Sequence, residues 1–596
     1  MNRYGLLILL IAGSTLSTPV LGAATVTAER IEKIVAFGDV HGAADALRSL
    51  LRSLDLIDSD DHWTGGATHL VSLGDLLDRG PESRQVMDLL IALGAQAPMS
   101  GGRIHVVLGN HEIMNLTGDM RYVAAEEFAA FASDESAADR SEAFAGYQIE
   151  HPDETNPESA FNNRFPPGFF GHRHAFSDSG RYGQWLLSLP QVLVLNDTAF
   201  VHGGLSENFT EGFVNFDEYN QRVRTEIDSV MRIGGKLIAR GVLPRWQDPL
   251  TSEPVKADAV LPETLLKLRE SVTFNDSGPS WYRGTAACHP LIERPRFERT
   301  LHALALKRVV MGHTPTFPRY VQTRFDGRAV LADTGMLASH YKGRPSAVII
   351  ENGGITAWLL NSAGELEERL GATPTDLRTG DEAEFTTALR KALEQLPDDS
   401  INNLQPGHAL SLSLSGRSYS ATFIAGSKQA QKLQLAAYHL DKSLGLGLVP
   451  VIIPYPANGK RGNLEVMPVN TITERRRIAD NVYRPNWCTG ISDYQLMYTF
   501  DMLIGNEARN GDNIHYDRAT WLMYLNGHES AFPTTSRRPE YLRETETRIP
   551  AGLHSRLASL DLDALEQTLG EFLGKRQIRA IDQRRQQILD SWPVEN

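Results

Sequence analysis

Asp39 and His41 in GDVHG, Asp75, Asp78 and Arg79 in GDLLDRG, Asn110 and His111 in GNHE, His202 in VHGGL, Arg283 in GPSWYRG and His313 in MGHT form six short motifs spread over some 280 residues. Asp39, Asp75, Asn110, His41, His202 and His313 supply two carboxylates, an amide and three imidazoles, with no thiol among them. Such a mixed oxygen and nitrogen set suits manganese, iron, zinc or a mixed pair; it suits neither a thiolate zinc site nor an all-oxygen calcium site. Two ions about 3.5–4 Å apart need a bridging ligand and can clamp a phosphoryl group for in-line attack. Asp75 is the natural bridge. A lone Asp-Gly after a strand is ordinary turn chemistry; the ordered set of six is harder to explain that way.

The elements that must position these residues are legible just before them. IVAF, HLVSL, IHVVL and KRVVM each run into a glycine and then a polar residue, and TAFV runs directly into His202. Short apolar, β-branched runs of this kind make buried strands. Each polar side chain is then delivered at a strand's carboxyl end, where layered α/β folds place their sites. Five strands converge on one pocket.

With the residues between them, the motifs resemble the calcineurin-like metallophosphoesterase superfamily, and within it the phosphoprotein phosphatase branch, whose signature is GDxHG, GDxxDRG, GNHE, a later HGG and a final GH. NHEIMNLTGDMRYV (110–123), PPGFFGHRHAF (166–176) and GPSWYRG (278–284) are similar to the bacterial Shewanella-like protein phosphatases. The resemblance covers residues 30–360, and no core motif letter departs from the pattern. It implies a four-layer α-β-β-α sandwich with a helical insertion, and two divalent metals, manganese before iron or zinc. It assigns Asp39, His41 and Asp75 to the first metal, and Asp75, Asn110, His202 and His313 to the second. His111 becomes the general acid, with Asp78 on its other ring nitrogen; a metal-bridging hydroxide is the nucleophile. Arg79, Asn110 and Arg283 become substrate contacts, because a guanidinium fork matches phosphate oxygens. The implied activity is a phosphoric monoester hydrolase acting on a phosphorylated protein, with a tilt toward phosphotyrosine. The same metal core also supports cleavage of small phosphoesters or dinucleoside polyphosphates.

Between His111 and His202 lies an insertion, about 116–195. It is alanine-rich and helical in its first half and rich in Pro and Asn in its second, and is placed as a lid or substrate-reading surface. Further helical stretches are expected over 215–240 and 261–272. His105 in a strand, and His172 and His174 in a loop, read as packed or solvated residues, although His172 and Arg173 are placed where they could face substrate.

The chain opens MNRYGLLILLIAG, with a basic residue, a short apolar run and small residues at LGAA (21–24). This reads as a secretory signal peptide, residues 1–23, and gives a periplasmic or secreted bacterial protein with no stable membrane insertion after cleavage. The apolar run is short for a span. With 596 residues, 41% of them hydrophobic, there is core material for two domains. A net charge of −14 argues against nucleic acid as a partner. Cys288 and Cys488 are the only cysteines; pairing and two packed thiols both stay open.

The metallophosphoesterase domain is read as 30–361, closing with a hairpin at 345–361. The polar, acidic 362–384 is read as a linker, and 385–596 as an α+β accessory domain. In that last region KLQLAAYHLDKSLGLGLVPVIIP, YTFDMLIGNEARNGDN and WLMYLNGHESAF resemble the atypical kinase fold shared by lipid kinases and HipA-type kinases. On that frame the helix Glu position holds Gln434, the catalytic Asp position Ala508 and the metal Asp position Gly527, while Asn506, Arg509, Asn513 and Phe532 keep the pattern. Phosphoryl transfer needs carboxylates at two of those places. The resemblance therefore implies a degenerate kinase-like domain that binds a protein partner. A further expectation is that the whole chain acts chiefly as a scaffold through it.

Overall fold

The computed structural model describes residues 30–595, apart from 212–214, 245–246, 257, 373–386, 388–389, 392, 396–404, 408, 415–416, 456–460, 486 and 489. The expected signal segment, residues 1–23, lies outside the described residues. Among those described, no helix is long and apolar enough to cross a membrane.

The N-terminal half is built on twelve strands: β1 (Lys33–Phe37), β2 (His69–Ser72), β3 (Arg103–Val106), β4 (Val192–Leu195), β5 (Thr198–Val201), β6 (Arg308–Met311), β7 (Gln322–Arg324), β8 (Ala329–Leu331), β9 (Ser346–Glu351), β10 (Gly354–Leu360), β11 (Leu366–Glu368) and β12 (Gly371–Ala372). They make two six-stranded sheets, ordered β11-β10-β9-β1-β2-β3 and β12-β7-β8-β6-β5-β4. Strands β1, β2 and β3 run parallel, as do β5, β6 and β8, so their carboxyl ends lie together within each sheet.

The period of two along the strands sets the layers. Ile34 and Ala36 of β1 join Val71, Phe200, Val310, Val330 and Val348 in one core between the sheets. Their neighbours Val35 and Phe37 turn outward into a second core with Leu47, Leu51, Val86 and Leu90 from the helices Ala44–Ser53 and Ser83–Gln96. On the far sheet, Ala199, Val201, Val309 and Met311 pack with Val223 and Ile227 of the helix Phe216–Ala239 and Phe297 of Pro290–Ala303. The result is a mixed α/β fold of two facing sheets covered by helices.

Three boundaries differ from the sequence reading. Residues 362–372 are not a linker: β11 pairs with β10 and β12 with β7. Their polar composition is that of edge strands, which carry charge because one side of the ladder is open; residues 373–384 lie outside the described residues. The insertion ends before residue 195, since β4 is already a sheet strand. Its helices fall within 125–187 and enclose an aromatic core of their own around Phe128, Tyr147, Phe161, Phe165, Phe169 and Phe170. His172 and His174 lie on the helix Phe169–Ala175 rather than in a loop. The PPG before it supplies the left-handed Gly168 that starts that turn.

The C-terminal half has a four-stranded sheet, β13 (Ala409–Leu414), β14 (Arg417–Ala425), β15 (Val451–Pro454) and β16 (Gly462–Pro468), in the order β13-β14-β16-β15. The helices Lys428–Ser443, Gly490–Ile504 and Lys575–Ser591 accompany it. Leu291 and Ile292 of the N-terminal half lie in this region's core, and Cys288 and Cys488 form a disulfide across 200 residues of sequence. His289 Nε2 meets the Leu446 carbonyl at 2.5 Å beside it. Half of the residues of FTTALRKALEQL (385–396), a sequence that reads as a helix, lie outside those described.

Candidate active site

Six strands end at one buried pocket. β1 leads to Asp39 and His41, β2 to Asp75, β3 to Asn110 and His111, β5 to His202, β6 to His313 and β8 to Asp333, and all eight are less than one-tenth exposed. His41, Asp75, Asp78, Arg79 and His313 adopt positive φ, between 50° and 70°. Left-handed backbone is unfavourable for residues with a Cβ and persists where the surrounding structure holds it. Strain is therefore built into the loops that aim these side chains.

Two imidazoles are oriented by the backbone. His41 Nδ1 donates to the Leu77 carbonyl at 2.8 Å, and His202 Nδ1 to the Leu73 carbonyl at 2.8 Å. Both therefore present Nε2 to the pocket, the arrangement that prepares a histidine for a metal. His202 Nε2 lies 3.2 Å from Asp75 Oδ2 and 3.0 Å from Asn110 Oδ1; His41 Nε2 lies 3.6 Å from Asp75 Oδ2. Ligand atoms of His41, Asp75 and His111 lie within 4.8 Å of one another, as do those of Asp75, His202 and His313. Asp75 belongs to both groups.

The donor set fits cations on a second ground. Burial, and then the neighbouring Asp333 charge, hold the Asp39 carboxyl well above its ordinary range, and burial raises Asp333 as well. Asp333 Oδ2 is buried, and among the described residues it meets no hydrogen-bond donor other than the neighbouring Asp39 carboxyl. Carboxylates crowded in this way are relieved by positive charge between them. Asp39, His41, Asp75, Asn110, His202 and His313 are the residues that would hold it.

Burial disfavours charge on His202, but Asp75 and then Asp39 outweigh it and push its pKa up to about 9. A ligating imidazole must be neutral, so metal uptake competes with that proton. Below the raised pKa the proton is present and binding is weakened; above it the competition ends. Apparent affinity for Mn2+, measured by titration calorimetry, is expected to climb by up to ~10-fold per pH unit toward pH 9 and then level off. A flat profile would count against His202 as a ligand.

His111 Nδ1 donates to Asp78 Oδ2 at 2.5 Å, which leaves Nε2 facing the pocket 3.8 Å from Asp75. Burial opposes protonation of His111, but the Asp75 charge and the Asp78 hydrogen bond prevail and raise its pKa. Arg79 Nη1 donates to His41 Nε2 at 3.0 Å, and its guanidinium lies 5.4 Å from the Tyr122 ring centre and 5.3 Å from that of Tyr341. Arg283 Nη1 donates to the His313 carbonyl at 2.6 Å and to Thr314 Oγ1 at 3.1 Å, so it holds the loop that carries a ligand, and its guanidinium feels the Asp39, Asp333 and Asp75 charges. His172 is buried and packed against Phe128, Phe131 and Phe176, and its pKa falls to about 3 through burial. It does not face the pocket.

Four contributors escaped the sequence reading. Glu112, fully buried, accepts from the backbone N–H groups of Asp75, Leu76 and Gly109 at 2.8 Å each and so ties two loops together. Asp333 follows a short apolar run, AVLA, the same signal that marked the other ligands. Tyr122 and Tyr341 lie in loop and helix-end contexts that carry no local mark.

The frame residues of the C-terminal half form polar networks. Gln434 donates to Glu529 at 2.7 Å and accepts from Asn463 at 2.8 Å. Arg509 is ion-paired with Asp501, and Asn506 also donates to Asp501.

A family model described as calcineurin-like phosphoesterase matches residues 32–317. Shewanella-like protein phosphatase 2 of Arabidopsis thaliana is 34% identical over 207 residues, 33% of this chain and 52% of that protein. An uncharacterized protein of Schizosaccharomyces pombe is 30% identical over 325 residues, 53% of this chain and 76% of that one. Among solved structures, a cold-active protein-tyrosine phosphatase of a psychrophilic Shewanella species is similar at 25% identity and a TM-score of 0.40, covering 57% of this chain and 80% of the other. This chain belongs to the calcineurin-like phosphoesterase family, with protein phosphatases among its relatives. It spans about half the length of the Arabidopsis relative.

Proposed function

We propose that the chain is an exported, two-metal-dependent phosphomonoesterase whose substrates are phosphorylated proteins. The observation that carries this reading is the buried His111–Asp78 pair, which faces Asp75 across the pocket with Arg79 held between two tyrosine rings. When bound, divalent metals would supply Lewis acidity and an activated nucleophile. The protein's share is orientation and proton transfer. Asp78 holds the proton on Nδ1 of His111 and favours the imidazolium, whose second proton, on Nε2, is the one given to the leaving ester oxygen. Arg79 grips phosphate oxygens, and its flanking rings keep the guanidinium in place.

The relatives named as protein phosphatases support a protein substrate. Tyr122, 43% exposed beside His111, offers a face to a phosphotyrosine ring. The Cys288–Cys488 disulfide agrees with an oxidising compartment, as the N-terminal segment does. For the C-terminal half we propose a partner-binding role without phosphoryl transfer, since Gln434, Ala508 and Gly527 supply no carboxylate.

The test is hydrolysis of an aryl phosphate and a phosphotyrosine peptide by the mature protein with Mn2+, beside His111→Ala. We expect metal-dependent turnover of both, with kcat on the peptide lowered ~10²–10⁴-fold in the variant. A folded wild-type protein inert with every divalent metal tried would remove the enzyme reading.

A further inference from the structure

We propose that Asn115 is a positioning residue for proton donation by His111, holding the Asp78 carboxylate in the orientation that His111 requires. The inference rests on the phosphomonoesterase reading above. Asn115 follows His111 by four residues on the helix Asn110–Thr117, so the two side chains share a face. Its Nδ2 donates to Asp78 Oδ1 at 3.0 Å and to the His111 carbonyl at 3.0 Å, while Asp78 Oδ2 accepts from His111 Nδ1. One donor therefore sits on each oxygen of a buried carboxylate. With Asn115 in place the carboxylate plane is fixed; without it, Asp78 is free to rotate about its last torsion and carry the imidazole with it.

The orientation of the amide follows from the same geometry. Turned over, Asn115 would set Oδ1 against an acceptor-only carboxylate oxygen, so the network assigns Nδ2 to that side. The cost falls on Oδ1, which is buried without a hydrogen-bond partner. A buried acceptor left unpaired is destabilising, and an apolar side chain of similar size would avoid it. Asparagine at 115 is thus explained by its donor rather than by packing. Arg173, reaching in from the insertion, donates to the Asn115 carbonyl at 2.7 Å and fastens this turn from outside. Arg173, whose place in the sequence allowed it to face substrate, braces the helix behind the acid.

A general acid matters most for a leaving group that cannot depart as a stable anion. Phosphoserine releases an alkoxide, which needs the proton; p-nitrophenyl phosphate releases a stable phenolate. Kinetics of both esters with Mn2+ on wild type, Asn115→Ala and Asn115→Ser test the role. Serine keeps a short donor and guards against poor folding of the alanine variant. For the alanine variant we expect kcat on phosphoserine to fall ~10–100-fold and on p-nitrophenyl phosphate by less than ~3-fold, with KM unchanged and the serine variant between. Equal losses on both esters would mean that Asn115 only supports the structure, and unchanged kinetics would mean that it does not position Asp78; either result overturns the inference. If the wild type is inert on phosphoserine but active on the aryl ester, a phosphotyrosine peptide, whose phenolate is the poorer leaving group, takes the place of phosphoserine with the same expectation; a wild-type protein inert on every ester would overturn the enzyme reading itself, and this inference with it.

Discussion

Asp75→Asn is expected to abolish turnover, lowering kcat/KM by more than ~10³-fold on every phosphate ester, and to reduce bound metal below two ions per chain. Asp75 is the one residue common to both clusters of ligand atoms, 3.2 Å from His202 and 3.6 Å from His41. Its second oxygen accepts from the His111 backbone N–H at 3.1 Å. An asparagine keeps the shape but removes the charge on which both clusters draw. The same change should lower the pKa of His111 and His202, since the Asp75 carboxylate is the first cause raising each against burial. Metal content by mass spectrometry and turnover should therefore fall together. A variant with two metals and wild-type turnover would show that Asp75 does not bridge.

The second large effect comes from a residue with no side chain. A Cβ on Gly109 would overlap Asp75 Oδ1, lie 2.5 Å from the Asp75 backbone nitrogen and 2.6 Å from Glu112 Oε2. Two of those are fixed points of the site, and one is backbone, so the loop after β2 and the start of the helix after β3 must move apart. Gly109→Ala is expected to lower kcat/KM by ~10²-fold or more, through displacement of Asp75, and to destabilise by ~1–3 kcal/mol as an overpacked core change does. Gly94→Ala is the control: it lies in the helix Ser83–Gln96 with nothing near the added carbon. It should leave activity intact and raise stability by ~0.5–1 kcal/mol through helix propensity. Equal activity in the two variants would argue against this close packing.

The candidate site was largely legible because its information is local. An apolar run and the polar residue it delivers occupy five to seven positions, and Asp39, Asp75, Asn110, His202 and His313 each follow such a run. Asp333 follows one too, but in LADTG no glycine precedes it, unlike Asp39, Asp75, Asn110 and His313. Tyr122 and Tyr341 could not be read, since their relation to Arg79, 43 and 262 positions away, exists only in the folded chain. Arg283 was legible as a site residue, but nothing in GPSWYRG tells that one arm of its guanidinium bonds the His313 carbonyl. Edge strands were misread as a linker at 362–372, because an edge strand and a linker share polar composition. The cysteine pairing stayed open at the level of sequence, as two thiols 200 residues apart meet only through tertiary structure.

The disulfide has a consequence for what counts as one molecule. The segment that leads from the N-terminal half into the C-terminal half, including residues 373–386 and 396–404, lies inside the loop closed by Cys288 and Cys488. A protease cut anywhere in that stretch leaves two polypeptides and a single covalent particle, which would run as one band on a gel until thiol is added. The crosslink is anchored at the end of the short helix Gly284–Ala287 that begins beside Arg283, so the fragment bearing the C-terminal half stays tethered five residues from the pocket. For this chain, cleavage and separation of the two halves are different events: a cut leaves both the crosslink and the shared core around Leu291 and Ile292 in place.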